Sequence, residues 1–482
     1  MNQIEVQAVD LGIMAAYLVL MAVIGITVMK RVKNAGDYFI GGRSFGTLVL
    51  LTTVCATLAG GGGLMGRAGV AYSSGFKAVM TAIPYLIGMF LFSAIAGKIS
   101  ALGFQHNITS IPDLFERRFG KLSKIILGIL ITFAMIGTLA AQVTATATIL
   151  RLVLAKYNLS YTLCAIISCL VFVVYTATSG MFGVVYTDLV QFFVLILFAY
   201  IMIPAGALIK VGGFGAFFSA LDSAHTTPVI NGSILGDIVT YLVFTLAAAE
   251  MWQRAFAAKD RKSATAGTAM GTAAYALMIV MVYAIGLLGW QILGPNVAEE
   301  YGSLDAVVPL LAIRVLPSGL VGLALAGMLA TIMSTADSYL LVSVQSCVHD
   351  VGKTLWPEVF GKHELRLGRI FTLLLAVAAL LLALCFKNAY NVVVFSWGFY
   401  AAAAGLPAFA ALVWKKATTP GILAGMLGGL VVSIVWKIAG EPFGLGSTVP
   451  GTIVCGILLV TVSLLTYRKH PSIFLEVKKD KN

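Results

Sequence analysis

Apolar residues run along this chain in long blocks, separated by short clusters of charge, glycine and proline. A helix needs about 20 apolar residues to cross the hydrocarbon core of a bilayer. Thirteen blocks meet that length: 9–29, 47–72, 77–98, 125–150, 161–178, 189–209, 234–253, 264–291, 319–347, 367–386, 391–413, 419–437 and 450–467. Within a block the residues are apolar nearly all round, as helices buried in a bundle are, so periodicity does not say which face points inward. The pattern predicts an all-α polytopic membrane protein, a single transmembrane domain over 1–482 with no separate soluble domain.

Composition agrees with the pattern, and charge adds an orientation. Of 482 residues, 60% are hydrophobic and 11% charged, where globular domains carry roughly a quarter. The net charge of +12 would suggest nucleic acid in a soluble chain. Here the basic residues gather in alternate loops, around Lys30–Arg43, Lys98–Lys124, Arg254–Lys262, Lys353–Arg369, Lys415–Lys416 and the tail's Arg468–Lys481. Positive residues mark cytoplasmic loops, which predicts an outside N-terminus, a cytoplasmic C-terminus and a bacterial inner membrane, with no nucleic-acid partner. Few basic residues stay outside: Arg67, Lys77, Arg151, Lys156, Lys210, Arg314, Lys387 and Lys437. The first block is a retained span and not a signal peptide, because Glu5 and Asp10 precede it and its positive charges follow it. Outside, "LDAVVPLLAIRVLP" and "GGFGAFFSALDSAHTTPVINGS" predict short helices over the bundle. The tail "EVKKDKN" reads as a solvated anchor beside anionic lipid. The six cysteines are scattered, with no metal-ligand or disulfide spacing.

Ionisable groups within apolar blocks are expensive and point to function. Three stand out: Asp188, Glu250 and Asp337. Ser334, Asp337 and Ser338 share one helical face, flanked by Thr335. Hydroxyl, carboxylate and carbonyl oxygens on one stripe suit a small hard cation, although hydroxyls alone also serve as hydrogen-bond glue between membrane helices. Asp188, at the start of its block, reads as an N-cap with room for a second role near an ion. Glu250 reads as an i,i+4 ion pair with Arg254 at the inner end of its span, or as part of an inner gate.

Gly60–Gly63 put four consecutive glycines inside the second block. Glycine costs a helix interior roughly 1 kcal/mol relative to alanine, and unwound backbone at membrane depth is tolerated only where it lines a cavity or is buried in protein. A glycine stripe for close helix packing would be spaced every fourth residue. The unbroken run therefore predicts a discontinuous helix of the kind that builds ion and substrate sites in transporters.

Five segments carry a family resemblance in order along residues 9–467: "DYFIGGRSFG" (Asp37–Gly46), the glycine break, "GVVYTDLVQ" (Gly183–Gln191), "WQRAFAAKD" (Trp252–Asp260) and "IMSTADS" (Ile332–Ser338). Together they resemble the sodium/solute symporter family, which includes proline, pantothenate, sialic acid, sugar and choline transporters. The resemblance implies a leucine-transporter-like fold of about thirteen helices, with inverted five-helix repeats at about 47–209 and 234–413 and peripheral helices at about 419–467. By the same match, sodium would be held by the carbonyls of Ala56, Ala59 and Thr331 and the hydroxyls of Ser334 and Thr335. A second sodium would use Asp188, Ser334, Asp337 and Ser338. Many members have serine at the Asp337 position. Leu58 stands where proline transporters have an aspartate and the choline branch a tryptophan, which argues against an aromatic cage for a quaternary ammonium. The arginine that holds a carboxylate in sialic acid transporters has no counterpart in "ITFAMIGTLAAQVTATA". The expected cavity lining is Leu58, Gly60, Gly61, Gln142, Tyr241, Thr245 and Tyr400. Arg67 reads either as an interfacial snorkelling side chain or as an attractor for an anionic solute.

The expectation is a sodium-coupled symporter importing a small organic solute by alternating access, not an enzyme, since no acid/base or nucleophile constellation appears. Sodium is its coupling ion, with no covalent cofactor and no obligatory protein partner. A proton-coupled carrier of the same fold, titrating at Asp337 or Glu250, and a membrane solute sensor are the other classes open to the sequence.

Overall fold

The computed structural model describes residues 6–227, 231–385 and 388–477. Its apolar blocks are helical because backbone in hydrocarbon must satisfy its own N–H and C=O groups. Among the described residues there is no strand, only an isolated bridge between Phe45 and Ala258. The helices that build the bundle are α1 (Ala8–Val28), α2 (Thr47–Ala59), α3 (Arg67–Ser74), α4 (Lys77–His106), α5 (Ile111–Phe119), α6 (Lys121–Val153), α7 (Tyr161–Val194), α8 (Met202–Val211) and α9 (Gly232–Leu246). The chain continues through α10 (Ala249–Ala257), α11 (Arg261–Leu293), α12 (Val307–Val315), α13 (Leu320–Gln345), α14 (Pro357–Ala383), α15 (Ala389–Tyr400), α16 (Leu406–Val413), α17 (Thr419–Ile438) and α18 (Thr448–Thr466).

Each predicted block falls on this set. Among the described residues, eleven helices are long and apolar enough to span a membrane, and the bent pair α2/α3 makes twelve. The block at 161–178 lies on the first half of α7, which begins with the apolar stretch Tyr161–Leu170. The helix α12 is the expected short helix of the long connection, and Phe214–Ser219 and Ser223–Thr226 occupy the other. Residues 228–230 of that second connection, with Lys387, Lys478, Lys479 and Lys481, lie outside the described residues. Helix starts follow side-chain chemistry: Ser110, Asn231, Asp260, Asn388 and Thr418 each accept the amide three residues on.

At the centre is α13, buried at every residue from Ala324 to Gln345 and packed on α2, α6 and α7. At the edge, α17 and α18 pair closely through Gly421 and Gly425, whose missing side chains admit Ser463 and Cys455. Two helices beside the site are interrupted, in addition to α7, which breaks at Gly180 (φ 52°, ψ −149°). The first is α2, which stops at Ala59 because Gly60 turns to φ 50°, ψ 163°, a conformation open to glycine. The helix resumes at Gly61 (φ −62°, ψ −42°), passes through a π-helical turn at Gly62–Gly66, and leaves as α3 at 54° to α2.

The expected unwinding over four glycines thus shrinks to one. The next two serve close approach instead: a Cβ on Gly61 would lie 2.7 Å from Cβ of Ala145, and one on Gly62 3.0 Å from Cγ2 of Val393. The second interruption separates α9 from α10 at Ala247 (φ −119°, ψ 14°) and Ala248 (φ −56°, ψ 92°). Nothing in the sequence announced it, since alanine is the best helix former.

Candidate functional site

A continuous helix would satisfy the carbonyls of Ala56 and Thr57 with the amides of Gly60 and Gly61. The break redirects these groups. The Gly61 amide donates to Oε1 of Gln142 on α6 at 2.7 Å. The carbonyls turn to α13, where Ser334 Oγ donates to Ala56 O at 3.0 Å and Thr335 Oγ1 to Thr57 O at 3.0 Å, with Ala56 O at 3.4 Å. Both hydroxyls also reach the Thr331 carbonyl, at 3.1 and 3.3 Å. Four of the five groups expected for sodium therefore converge: Ala56, Thr331, Ser334 and Thr335. The fifth, Ala59, is the last residue of α2, at the break itself. The Thr57 carbonyl joins them unforeseen. All are buried oxygens; oxygen-only sets suit a small hard cation.

The second expected set is divided. Asp188 is not an N-cap: the helix restarts after a break at Gly180 (φ 52°, ψ −149°), and Asp188 lies two turns beyond that break, fully buried. Its Oδ2 accepts from Thr53 Oγ1 and lies 3.6 Å from Nη2 of Arg254. Ser338 Oγ accepts from the same Nη2 at 2.6 Å, meets Thr57 Oγ1 at 3.0 Å and donates to Ser334 O at 2.9 Å. Asp337 accepts from Thr176 of α7 at 2.7 Å. Asp188 and Ser338 thus meet across the Arg254 guanidinium, while Asp337 accepts from Thr176 on the other side of the Gly180 break in α7.

The expected ion pair between Glu250 and Arg254 is not formed. Arg254 Nη1 donates to the backbone carbonyl of Glu250 at 3.1 Å, and its other nitrogens reach Thr53, Thr57 and Ser338. A Tyr339 hydroxyl at 3.3 Å partners the Glu250 carboxylate. Both residues lie on the continuous α10, so their helical spacing is kept; the pair is unmade because the guanidinium turns to Thr53, Thr57, Asp188 and Ser338.

Beside the oxygen cluster lies a small cavity of about 30 Å³. Leu58, Gly60, Gln142 and Tyr241 line it as expected, joined by Arg67, Thr138, Tyr85, Tyr275, Tyr339, Tyr390, Val393 and Trp397. Three expected lining residues do other work. Gly61 turns its amide to Gln142 and packs on Ala145. Thr245 bonds to Leu242 O at 2.6 Å and fills the space over Gly88. Tyr400 donates to Ala247 O at 2.7 Å, satisfying a carbonyl of the second interruption. Arg67 does not snorkel: it is 4% exposed and lines the cavity. The tyrosines come from α4, α9, α11, α13 and α15, so no local motif could have gathered them.

A sequence model described as the sodium:solute symporter family matches residues 38–429. The osmoregulated proline transporter OpuE of Bacillus subtilis is 27% identical over 95% of both chains. The sodium/proline symporter of Escherichia coli is 28% identical, over 93% of this chain and 91% of the relative. Among solved structures, a sodium-coupled sialic acid symporter in a substrate-bound outward-open state superposes with TM-score 0.78, at 20% identity, over 97% of this chain and all of that one (100%). A nucleobase-cation-symport-1 family transporter in a closed conformation gives TM-score 0.61 at 14% identity, over 93% and 98% of the chains. At such identities the likeness speaks to fold: an all-α, leucine-transporter-like bundle.

Proposed function

The chain belongs to the sodium:solute symporter family, a family of transporters and not enzymes, and from that premise we propose that it imports a small organic solute by sodium-coupled alternating access. The carrying observation is the oxygen cluster between interrupted α2 and buried α13: Ser334 Oγ bonds to the carbonyls of Ala56 and Thr331, and Thr335 Oγ1 reaches those of Ala56, Thr57 and Thr331. In this reading a sodium ion takes the centre of the cluster, where the Ser334 and Thr335 hydroxyls keep their protons and turn oxygen lone pairs toward it, and it ties α2 to α13. The cavity beside it shares Thr57 and Thr335, so solute and ion would order the same break, which supplies the differential affinity that coupling requires. Asp188, Ser334, Asp337 and Ser338 remain the proposed second set, with Arg254 supplying the positive charge between Asp188 and Ser338 in this conformation. Sodium moving inward gains about 2.3 kcal/mol per charge per 100 mV.

The N-terminus is placed outside and the C-terminus in the cytoplasm on loop charge. Relatives named as proline transporters make proline the first solute to test. The test is uptake into proteoliposomes under an inward sodium gradient, over a panel beginning with proline. Stimulation by sodium over potassium or choline is expected, and equal uptake in all three would refute the proposal. Uptake driven by a pH gradient without sodium would instead favour a proton-coupled carrier, for which the buried Glu250, with Oε2 lacking a partner, offers a titrating group.

A further inference from the structure

One charged side chain lines the cavity among its described residues, and it is positive. Arg67, the first residue of α3, lies with its guanidinium carbon 4.6 Å from the ring centre of Tyr241 and 5.5 Å from that of Tyr85. Its Nη1 is buried without a hydrogen-bond partner. No carboxylate among the described residues forms an ion pair with it. Burying a charge without its counter-charge is costly, and within a membrane bundle such a group marks a site of function.

We propose that Arg67 selects the solute by holding a carboxylate of it. This rests on the transporter reading above and specifies its substrate class. The guanidinium offers a planar fork of N–H donors that matches a carboxylate, and one of its two terminal nitrogens, Nη1, has no hydrogen-bond partner. A cationic solute is disfavoured twice. The tyrosine faces that would attract it already hold Arg67, and Leu58 leaves the lining without a side-chain anion. A single arginine among aromatic and aliphatic walls also fits one carboxylate better than a polyanion: Val393, Trp397 and Leu58 complete the wall. The cavity in this arrangement is close to the volume of one water, so its walls must part to admit the solute. Tyr390 lines both this cavity and a larger neighbouring one and so stands between them.

The carboxylate can belong to an amino acid or to a simple monocarboxylic acid, and matched acid–amide pairs separate the two. The full-length chain in proteoliposomes is assayed for uptake of L-proline against L-prolinamide and of propionate against propionamide, in sodium and in potassium. At least one acid is expected to exceed its amide by about tenfold or more, with Arg67→Gln removing that uptake and Arg67→Lys retaining part of it. Preference for both acids means the carboxylate suffices; preference for proline alone means its ammonium is read as well. If no acid exceeds its amide, or if Arg67→Gln takes up the acid as wild type does, the proposal is overturned. Should Arg67→Gln not fold, the wild-type comparison decides alone. Acid-selective uptake that is equal in potassium would leave the Arg67 assignment standing and sink sodium coupling. Sodium-driven uptake of an amide in preference to its acid would do the reverse.

Discussion

The amide of Gly61 donates to Oε1 of Gln142 at 2.7 Å, taking a side-chain acceptor where a continuous helix would offer the Thr57 carbonyl. Gln142 is thereby the residue that allows α2 to break inside the bundle, and its own Nε2 is fixed by the Thr138 carbonyl at 3.1 Å. Gln142→Leu leaves a buried N–H unsatisfied, which costs about 1–3 kcal/mol. A lower thermal unfolding midpoint in detergent is expected, with Gln142→Glu closer to wild type because it keeps an acceptor. A midpoint unchanged in Gln142→Leu would show that the amide finds another partner.

The glycine run makes a graded prediction. Gly60→Ala forces a side chain into a left-handed conformation and against Thr335 Cγ2 at 3.1 Å, at a cost of about 1–3 kcal/mol. Gly63→Ala meets only ordinary contacts, at 3.4 Å from the Tyr275 hydroxyl. Transport should fail in the first and survive in the second. Equal loss in both would mean that flexibility of the whole run matters, and not the turn at Gly60.

Much of this was legible in the chain. Long apolar blocks located the helices, because hydrocarbon leaves backbone no other option. The clustering of Ser334, Thr335, Asp337 and Ser338 within one helical turn, with glycines in another block, pointed to α2 and α13 before either was placed. What the sequence could not carry were relations set by tertiary contact. The Ala247–Ala248 interruption has no local signal, and the partners that draw Arg254 from Glu250, among them Thr53, Asp188 and Ser338, come from three other helices. Arg67 reads either as an interfacial side chain or as an attractor for an anionic solute, and only the assembled bundle shows it buried at the cavity. Tyr85, Tyr275 and Tyr390 are ordinary aromatic residues in their own blocks and become a cavity wall only on assembly.

The Asp188–Arg254 pair predicts a non-additive double mutant. Arg254→Gln leaves Asp188 buried without its cation, and Asp188→Asn leaves the guanidinium unpaired; each should cost about 3–5 kcal/mol. The double variant should be more stable than either single one, read from unfolding midpoints of the four proteins. Additive losses would show that the two side chains act independently.

A separate charged cluster joins the connector α5 to the bundle. Asp113 Oδ1 lies 2.9 Å from Lys124 Nζ and 3.4 Å from His349 Nε2. Burial raises the pKa of Asp113, but the partnership with His349 and Lys124 outweighs it and holds the carboxyl well below its ordinary value of 3.8. A depressed folded-state value adds stability that is fully present above the unfolded pKa and fades as pH falls through the folded one. Asp113→Asn should therefore be less stable than wild type at neutral pH, and the gap should narrow on acidification below about pH 4. A gap independent of pH would place its origin in packing.

The account turns on sodium bound between α2 and α13, and the sodium dependence of uptake measures it most directly. Ser334→Ala and Thr335→Ala each remove one oxygen from the cluster, a loss of about 1.5–3 kcal/mol for a bond to a charge. Each should raise the sodium concentration for half-maximal uptake roughly tenfold or more, with the maximal rate recovered at high sodium. Unchanged half-maximal sodium in both variants would contradict the site.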